Sequence, residues 1–241
     1  MNKPALIFSI FLCLFAAPLY AQLNGLGTWN ILNFRYTLNE KWGFFGEAQL
    51  RSLRFYDHFH YYEYKGGFNY QLHSQMRVGI GIGDYDTYRE GGNFVTPKNN
   101  DELRIWPHIT FSHNIGKFRM EQRYRAEFRF TSQGYRNRFR YRLGVAYPFG
   151  TAKKGFQPFQ ISAGNELFFT NREPYFERNR FNLAFSYRQS PTLTFQAGFL
   201  RQFDYRINDE IGRSFLQLGF YFEFSPSTHP KRSNKIELDE N

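Results

Sequence analysis

The sequence has 241 residues and a formal net charge of +10, from 31 Lys and Arg against 21 Asp and Glu. Aromatic residues make up 21% of the chain, yet its mean hydropathy is only −0.59. This combination is unusual for the core of a soluble protein and is typical of a β-barrel with one face in lipid and the other in water. The single cysteine excludes a disulfide framework within the chain.

The first 21 residues predict a secretory signal peptide. Lys3 supplies a positive n-region, residues 5–17 form an apolar h-region, and Ala21 is the small residue before the expected cleavage site. The apolar stretch is too short for a membrane-spanning helix. The only cysteine, Cys13, lies inside this segment, so the mature chain is expected to have no thiolate chemistry.

Residues 118–130 show the pattern that recurs along the rest of the chain. Phe118, Tyr124 and Phe128 occupy even positions, and Arg119 and Arg129 are among the charged residues at odd positions. Successive side chains of a β-strand point to opposite faces, so a strand separates these two sets, whereas a helix mixes them. The segment is therefore predicted to be a strand with one aromatic face and one ionic face.

The same alternation predicts eleven strands. Each is long enough for the ~9–11 residues that a tilted membrane strand requires. Single-chain bacterial barrels normally have an even number of strands, so we predict an all-β, antiparallel up-and-down transmembrane β-barrel of about twelve strands, within a range of ten to twelve. The predicted strands lie near 28–37, 42–53, 60–71, 76–88, 102–113, 117–130, 137–147, 158–169, 179–188, 192–203 and 213–224.

A soluble barrel or sandwich with the aromatic face turned inward is the alternative to a membrane barrel. It requires dozens of Phe and Tyr side chains, with their hydroxyls, in one small interior, so we favour the membrane. The predicted location is the outer membrane of a Gram-negative bacterium. The predicted domain boundaries are 1–21 for the signal peptide, 22–224 for the barrel and 225–241 for a polar, disordered periplasmic tail.

Five stretches carry a resemblance to a known family. They are residues 42–47, 62–67, 104–107 with the Trp-Pro pair, 121–125, and 138–142 with its alternating arginines. The resemblance spans roughly residues 28–224, most of the mature chain, and is to the uncharacterised small outer-membrane proteins known as domain of unknown function 2490. The resemblance implies an outer-membrane β-barrel and implies no activity.

If the aromatic face contacts lipid, most of the positive charge lies inside the barrel, which argues against a nucleic-acid-binding surface. The expected partners are outer-membrane lipid, the barrel assembly machinery and small anionic solutes. The arginines predicted to face an anion in the lumen are Arg119, Arg123, Arg125, Arg129, Arg138, Arg140, Arg142 and Arg180. The predicted counter-charges are Glu47, Glu63, Glu121, Glu127, Glu166 and Glu223.

The hairpin of residues 117–147 concentrates these arginines. We expect Glu127 to lie opposite Arg140, and Arg129 to lie opposite Arg138. Like charges directly opposite each other destabilise a strand pair. Arginine–arginine pairs in this hairpin therefore require acids from other strands or a bound anion.

Three classes of function remain open. The first is a narrow channel that favours anionic solutes such as acidic sugars, because charged rings set selectivity in pores. The second is a closed barrel whose ionic network is structural and which binds partners through its outer loops.

The third is an outer-membrane enzyme acting on lipid or peptide, which we do not favour. His108 and Ser112 share a strand face but are separated by ~13 Å, and no nucleophile motif accompanies His58 or His60. The sequence contains no phosphate loop, metal-ligand spacing or dinucleotide fingerprint, so no catalytic residue, metal site or cofactor is predicted.

Overall fold

Eleven strands joined into one closed barrel account for most of residues 25–152, 155–205 and 211–226, which the computed structural model describes. The predicted signal peptide, and the predicted tail beyond residue 226, lie outside the described residues. No helix in the described part of the chain is long and apolar enough to cross a membrane. The predicted fold class, a closed all-β barrel, is confirmed.

The strands follow one another around the barrel in chain order. The strands are β1 (Leu26–Thr37), β2 (Trp42–Arg54), β3 (Asp57–His73), β4 (Met76–Arg89), β5 (Val95–Ile115), β6 (Phe118–Thr131), β7 (Gly134–Phe149), β8 (Phe159–Thr170), β9 (Phe176–Ser190), β10 (Leu193–Asp204) and β11 (Ile211–Phe224). We call the end with the β2–β3, β4–β5, β6–β7, β8–β9 and β10–β11 connections the loop end, and the opposite end the turn end.

The barrel closes through a parallel pair. All other neighbouring strands are antiparallel, but β1 and β11 run in the same direction, with Leu26 beside Ser214 and Tyr36 beside Phe224. In an up-and-down order an odd number of strands gives the first and last strand the same direction, so they pair in parallel. The eleven strands of the described residues match the eleven alternating segments and fall within the predicted range.

Alternation along each strand separates a buried inner face from an exposed outer face. On β7 the side chains of Arg138, Arg140 and Arg142 are buried inside the barrel, whereas Phe139 between them is 51% exposed on the outside. On β11, Phe220 is exposed and its neighbour Tyr221 is buried. The aromatic stripe thus forms the outer surface of the barrel.

The register predicted for the β6–β7 hairpin is wrong by two residues. Glu127 lies opposite Arg138 rather than Arg140, and Arg129 lies opposite Arg136. The strands extend to a two-residue turn, residues 132–133, and Gly134 directly after it adopts a φ of 107°, a conformation that glycine reaches without strain. A shift of two residues keeps every side chain on its predicted face.

Gly81 of β4 provides room for the ring of Trp106, which is fully buried on β5. A Cβ at Gly81 would lie 2.3 Å from Trp106 Cζ2. We expect Gly81→Ala to lower the free energy of unfolding by about 1–3 kcal/mol, because the ring must move within a packed interior. Urea unfolding in detergent micelles measures this change.

Gly46→Ala is the matched control for Gly81→Ala. Gly46 is also in the middle of a strand, β2, but a Cβ there would meet nothing within 4 Å. This variant is expected to unfold at the wild-type urea concentration or slightly above it, because alanine reduces the entropy of the unfolded chain. Equal destabilisation of the two variants would contradict the close contact between Gly81 and Trp106.

Candidate functional site

A cavity of about 840 Å³ occupies the loop-end half of the barrel, and we call it the vestibule. Its wall includes residues of the β4–β5, β6–β7 and β8–β9 connections, so it lies at the mouth of the barrel. Among the described residues, twelve cationic side chains line it: Arg51, Lys65, Arg89, Arg104, Arg129, Arg136, Arg138, Arg140, Arg172, Arg178, Arg180 and Arg213. Six acidic side chains from the same part of the chain line it: Glu63, Glu90, Glu102, Glu173, Glu177 and Asp204. The vestibule therefore has an excess of positive charge.

Glu127 is the centre of the ion-pair network on β6 and β7. Its carboxylate accepts hydrogen bonds from Arg138 Nε at 2.7 Å and Arg140 Nη1 at 2.7 Å, and Arg125 Nη1 lies 3.7 Å away. Glu127 is 1% exposed. One buried carboxylate thus neutralises part of the charge of three buried arginines.

Glu166 of β8 is the second carboxylate of this network. It accepts hydrogen bonds from Arg140 Nη2 at 2.7 Å and Arg123 Nη2 at 3.2 Å. Arg125 lies directly opposite Arg140, and Arg123 directly opposite Arg142. An acid from a neighbouring strand therefore compensates these like-charge pairs, which was one of the two solutions expected from the sequence.

Two further carboxylates, Glu102 and Glu177, join the network, although the sequence did not identify them. Glu102 accepts hydrogen bonds from Arg104 Nη2 and Arg129 Nη2, each at 2.9 Å, and Glu177 Oε1 lies 3.1 Å from Arg138 Nη1. Glu102 shares its strand face with Arg104, and this parity could have identified it. Glu177 was assigned to a loop, and it lies at a register shift between β8 and β9 that interrupts the alternation.

The remaining predicted acids also have cationic neighbours. Lys65 Nζ lies 2.5 Å from Glu47 and 2.9 Å from Glu63. Nearer the turn end, Arg77 lies 3.9 Å from Glu121, and Arg188 lies 3.4 Å from Glu223.

Four of the eight predicted arginines do not line the vestibule: Arg119, Arg123, Arg125 and Arg142. Arg142 is buried beside Glu166 in the β7–β8 register. Arg119 lies near the turn end, where Arg188 is its electrostatic neighbour.

Three aromatic rings, those of Trp29, Trp106 and Phe168, are fully buried inside the barrel. Arg51 lies 3.4 Å from the centroid of the Trp29 ring, a cation–π contact. The alternating pattern placed aromatic residues on the outer face and therefore did not predict these inner rings. Together with the ion pairs they fill the centre of the barrel with side chains.

Two of the histidines considered as catalytic bases have polar side-chain partners. His108 Nε2 lies 2.9 Å from Asn69 Oδ1, and His58 Nδ1 lies 2.8 Å from the carboxylate of Asp57. Within the described residues, no group of three or more His, Cys, Asp or Glu side chains could hold a metal ion.

A closed all-β barrel with a charged interior is the architecture of a porin-like protein. The chain belongs to the family described as protein of unknown function, DUF2490, whose model matches residues 26–212. The family assignment from the sequence is confirmed. The structure of the NanC porin is similar, with a TM-score of 0.50 and 11% identity over 81% of this chain and 96% of that chain. At this identity the likeness shows the fold alone. No curated protein matches the sequence.

Proposed function

We propose that the protein is an outer-membrane β-barrel that forms a narrow channel favouring small anions. The observation that carries the proposal is the vestibule, a cavity of about 840 Å³ to whose wall the described residues contribute twelve cationic and six acidic side chains. A cleft lined mainly by one sign of charge focuses the electric field and raises the local concentration of counter-ions. Solute anions are therefore drawn into the mouth of the barrel, and cations are repelled.

The outer face of the barrel supports a location in a lipid bilayer. Phe34, Phe139 and Phe220 are between 44% and 51% exposed there. Exposed apolar rings on strands around the barrel are stable against hydrocarbon chains and unfavourable in water. The proposal includes export by the signal peptide 1–21, insertion by the barrel assembly machinery and no catalytic role.

The packed centre of the barrel favours a second candidate function, a closed barrel that binds anions at its mouth. Trp29, Trp106 and Phe168 are fully buried there, and ion pairs surround them. Both functions predict anion binding in the vestibule. They differ in ion conduction, because a channel must let anions pass these side chains.

Conductance of the refolded protein in planar bilayers tests the channel. Under a KCl gradient we expect a small conductance and a reversal potential that shows preference for chloride. Preference for potassium would contradict the proposal. Anion binding without conductance would support the closed barrel instead.

Arg172→Glu tests the contribution of the vestibule to this selectivity. Arg172 is exposed on the vestibule wall, and its reversal is expected to move the reversal potential towards zero. Arg201→Glu is the matched control, because Arg201 is exposed on the outer face of β10. It changes the total charge equally and is expected to leave selectivity unchanged. Equal shifts in the two variants would show that the vestibule does not set selectivity.

A further inference from the structure

We infer that Arg180 is an anion-binding residue in the vestibule and that its ligand is an oxyanion, the carboxylate or phosphate group of a small solute. This inference rests on the proposed function and names the group at which the solute binds. Arg180 lies on β9, lines the vestibule and is 9% exposed.

Arg180 is hydrogen-bonded to a neutral side chain. Its Nε donates a hydrogen bond to Gln202 Oε1 at 2.8 Å. Among the described residues it forms no ion pair with an acidic side chain, whereas the neighbouring vestibule arginines Arg138 and Arg140 each pair with Glu127. A buried cation without a paired anion is costly, so a bound anion stabilises this arrangement.

The surroundings of Arg180 are mainly positive. Its electrostatic neighbours include three arginines, Arg178, Arg51 and Arg140, and two carboxylates, Glu166 and Asp204. Glu166 also pairs with Arg140 and Arg123. The other three arginines have carboxylates of their own: Arg178 pairs with Asp204, Arg51 with Glu63, and Arg140 with Glu127. The positive charge that remains is therefore centred on Arg180.

The guanidinium group of Arg180 is held in place by its neighbours. It lies 4.8 Å from the ring centroid of Trp29 and 4.8 Å from that of Phe168. Gln202, which accepts its hydrogen bond, is oriented by donating to Asp204 Oδ2 at 2.7 Å. A guanidinium fixed in this way loses little entropy when it binds an oxyanion through two parallel hydrogen bonds.

Arg119 and Arg142 also lack an ion pair in the described part of the chain, but neither lines the vestibule. Arg142 and Arg180 both lie directly opposite Glu166 in the strand register, but only Arg180 lines the cavity. Arg180 is therefore the predicted lumen arginine that combines access to the cavity with unneutralised charge.

Isothermal titration calorimetry of the full-length protein, refolded in zwitterionic detergent, tests the inference. The probes are inorganic phosphate and acetate, each at constant ionic strength. Hydrogen bonds to charged groups contribute about 1.5–3 kcal/mol, so Arg180→Gln is expected to weaken binding at least about tenfold. The probe that binds more tightly identifies which oxyanion the site prefers.

Arg201→Gln is the matched control, because it removes the same charge from the outer face of the neighbouring strand, beside Phe181 in the register. Its affinity for both probes is expected to equal that of the wild type. Arg180→Lys retains the charge without the fork and is expected to bind more weakly than wild type, which provides a second test if Arg180→Gln does not fold. Wild-type affinity in either Arg180 variant would overturn the inference.

The failures of the two proposals are distinguishable. If the wild type binds both probes and Arg180→Gln binds them equally well, the Arg180 site is wrong while an anion-favouring vestibule stands. If the wild type binds neither probe and shows no chloride preference in bilayers, both proposals are wrong. If it prefers chloride but binds neither probe, only the Arg180 site is wrong.

Discussion

Glu127→Gln is expected to lower the free energy of unfolding of the barrel by about 3–5 kcal/mol. Glu127 is buried and neutralises Arg138 and Arg140, with Arg125 close by. Glutamine has nearly the same shape but no charge, so the substitution leaves buried guanidinium groups without their carboxylate. Guanidinium chloride unfolding in micelles, followed by the change in electrophoretic mobility of the unboiled protein, measures the loss.

Glu90→Gln is the control for Glu127→Gln, because it removes the same charge from an ion pair in solvent. Glu90 Oε1 lies 2.6 Å from Arg213 Nη2, and the Glu90 side chain is 60% exposed. Exposed pairs contribute about 0–1 kcal/mol, so the control is expected to remain close to wild type. If Glu127→Gln lowered the free energy of unfolding by less than Glu90→Gln does, water would reach the guanidinium groups around Glu127. The interior of the barrel would then be wide and filled with water.

The period of two predicted the strands well, because the two faces of each strand meet different surroundings. From Phe118 to Phe130 the apolar and charged residues of β6 alternate, with Gln122 as the one polar residue on the apolar face. The observed strand, Phe118–Thr131, agrees with the predicted 117–130 within one residue. The boundaries of β5 were less accurate. Val95 begins that strand, seven residues before the predicted start, because the polar residues at this end still form ladder hydrogen bonds with β4.

Alternation alone cannot determine the register of neighbouring strands. A shift of two residues leaves every side chain on the same face, so the pairs Glu127–Arg138 and Glu127–Arg140 are equally consistent with the sequence. The position of the turn decides between them. The glycine at position 134 was the available signal in the sequence, and in the structure it has a positive φ. The closing pair is parallel when the number of strands is odd and antiparallel when it is even. The preference of single-chain bacterial barrels for even numbers does not determine the number in an individual chain.

Side-chain polarity was a poor guide to the inner face where the barrel interior is aromatic. Trp106 has the same parity as Arg104 and His108, and Phe168 has the same parity as Glu166. Their positions in the alternation therefore place both rings inside the barrel, although apolar side chains are expected to face lipid. Inner aromatic rings are stable here because arginine side chains cover their faces. The candidate site could be located from charge, but its packed centre could not.

Phe168→Ala is expected to lower the free energy of unfolding by about 3–5 kcal/mol, because it deletes a fully buried ring. Four arginines lie with their guanidinium carbons 4.6–5.7 Å from the centroid of this ring. The cavity left by the ring is bordered by these cations, and the surrounding ion pairs prevent it from collapsing. The arginines are Arg138, Arg140, Arg178 and Arg180. Urea unfolding of the protein in phospholipid vesicles measures the effect.

Phe169→Ala applies the same substitution to the next residue, whose ring is 40% exposed on the outer face. Its cost is expected to be about 1–2 kcal/mol, because part of the ring's transfer energy is lost but lipid chains fill the vacated space. The difference in unfolding free energy between Phe168→Ala and Phe169→Ala depends on which face of β8 lies inside the barrel. In a barrel with the faces exchanged, Phe169 would be the buried ring, so a larger loss for Phe169→Ala would reverse the inside and outside of the molecule.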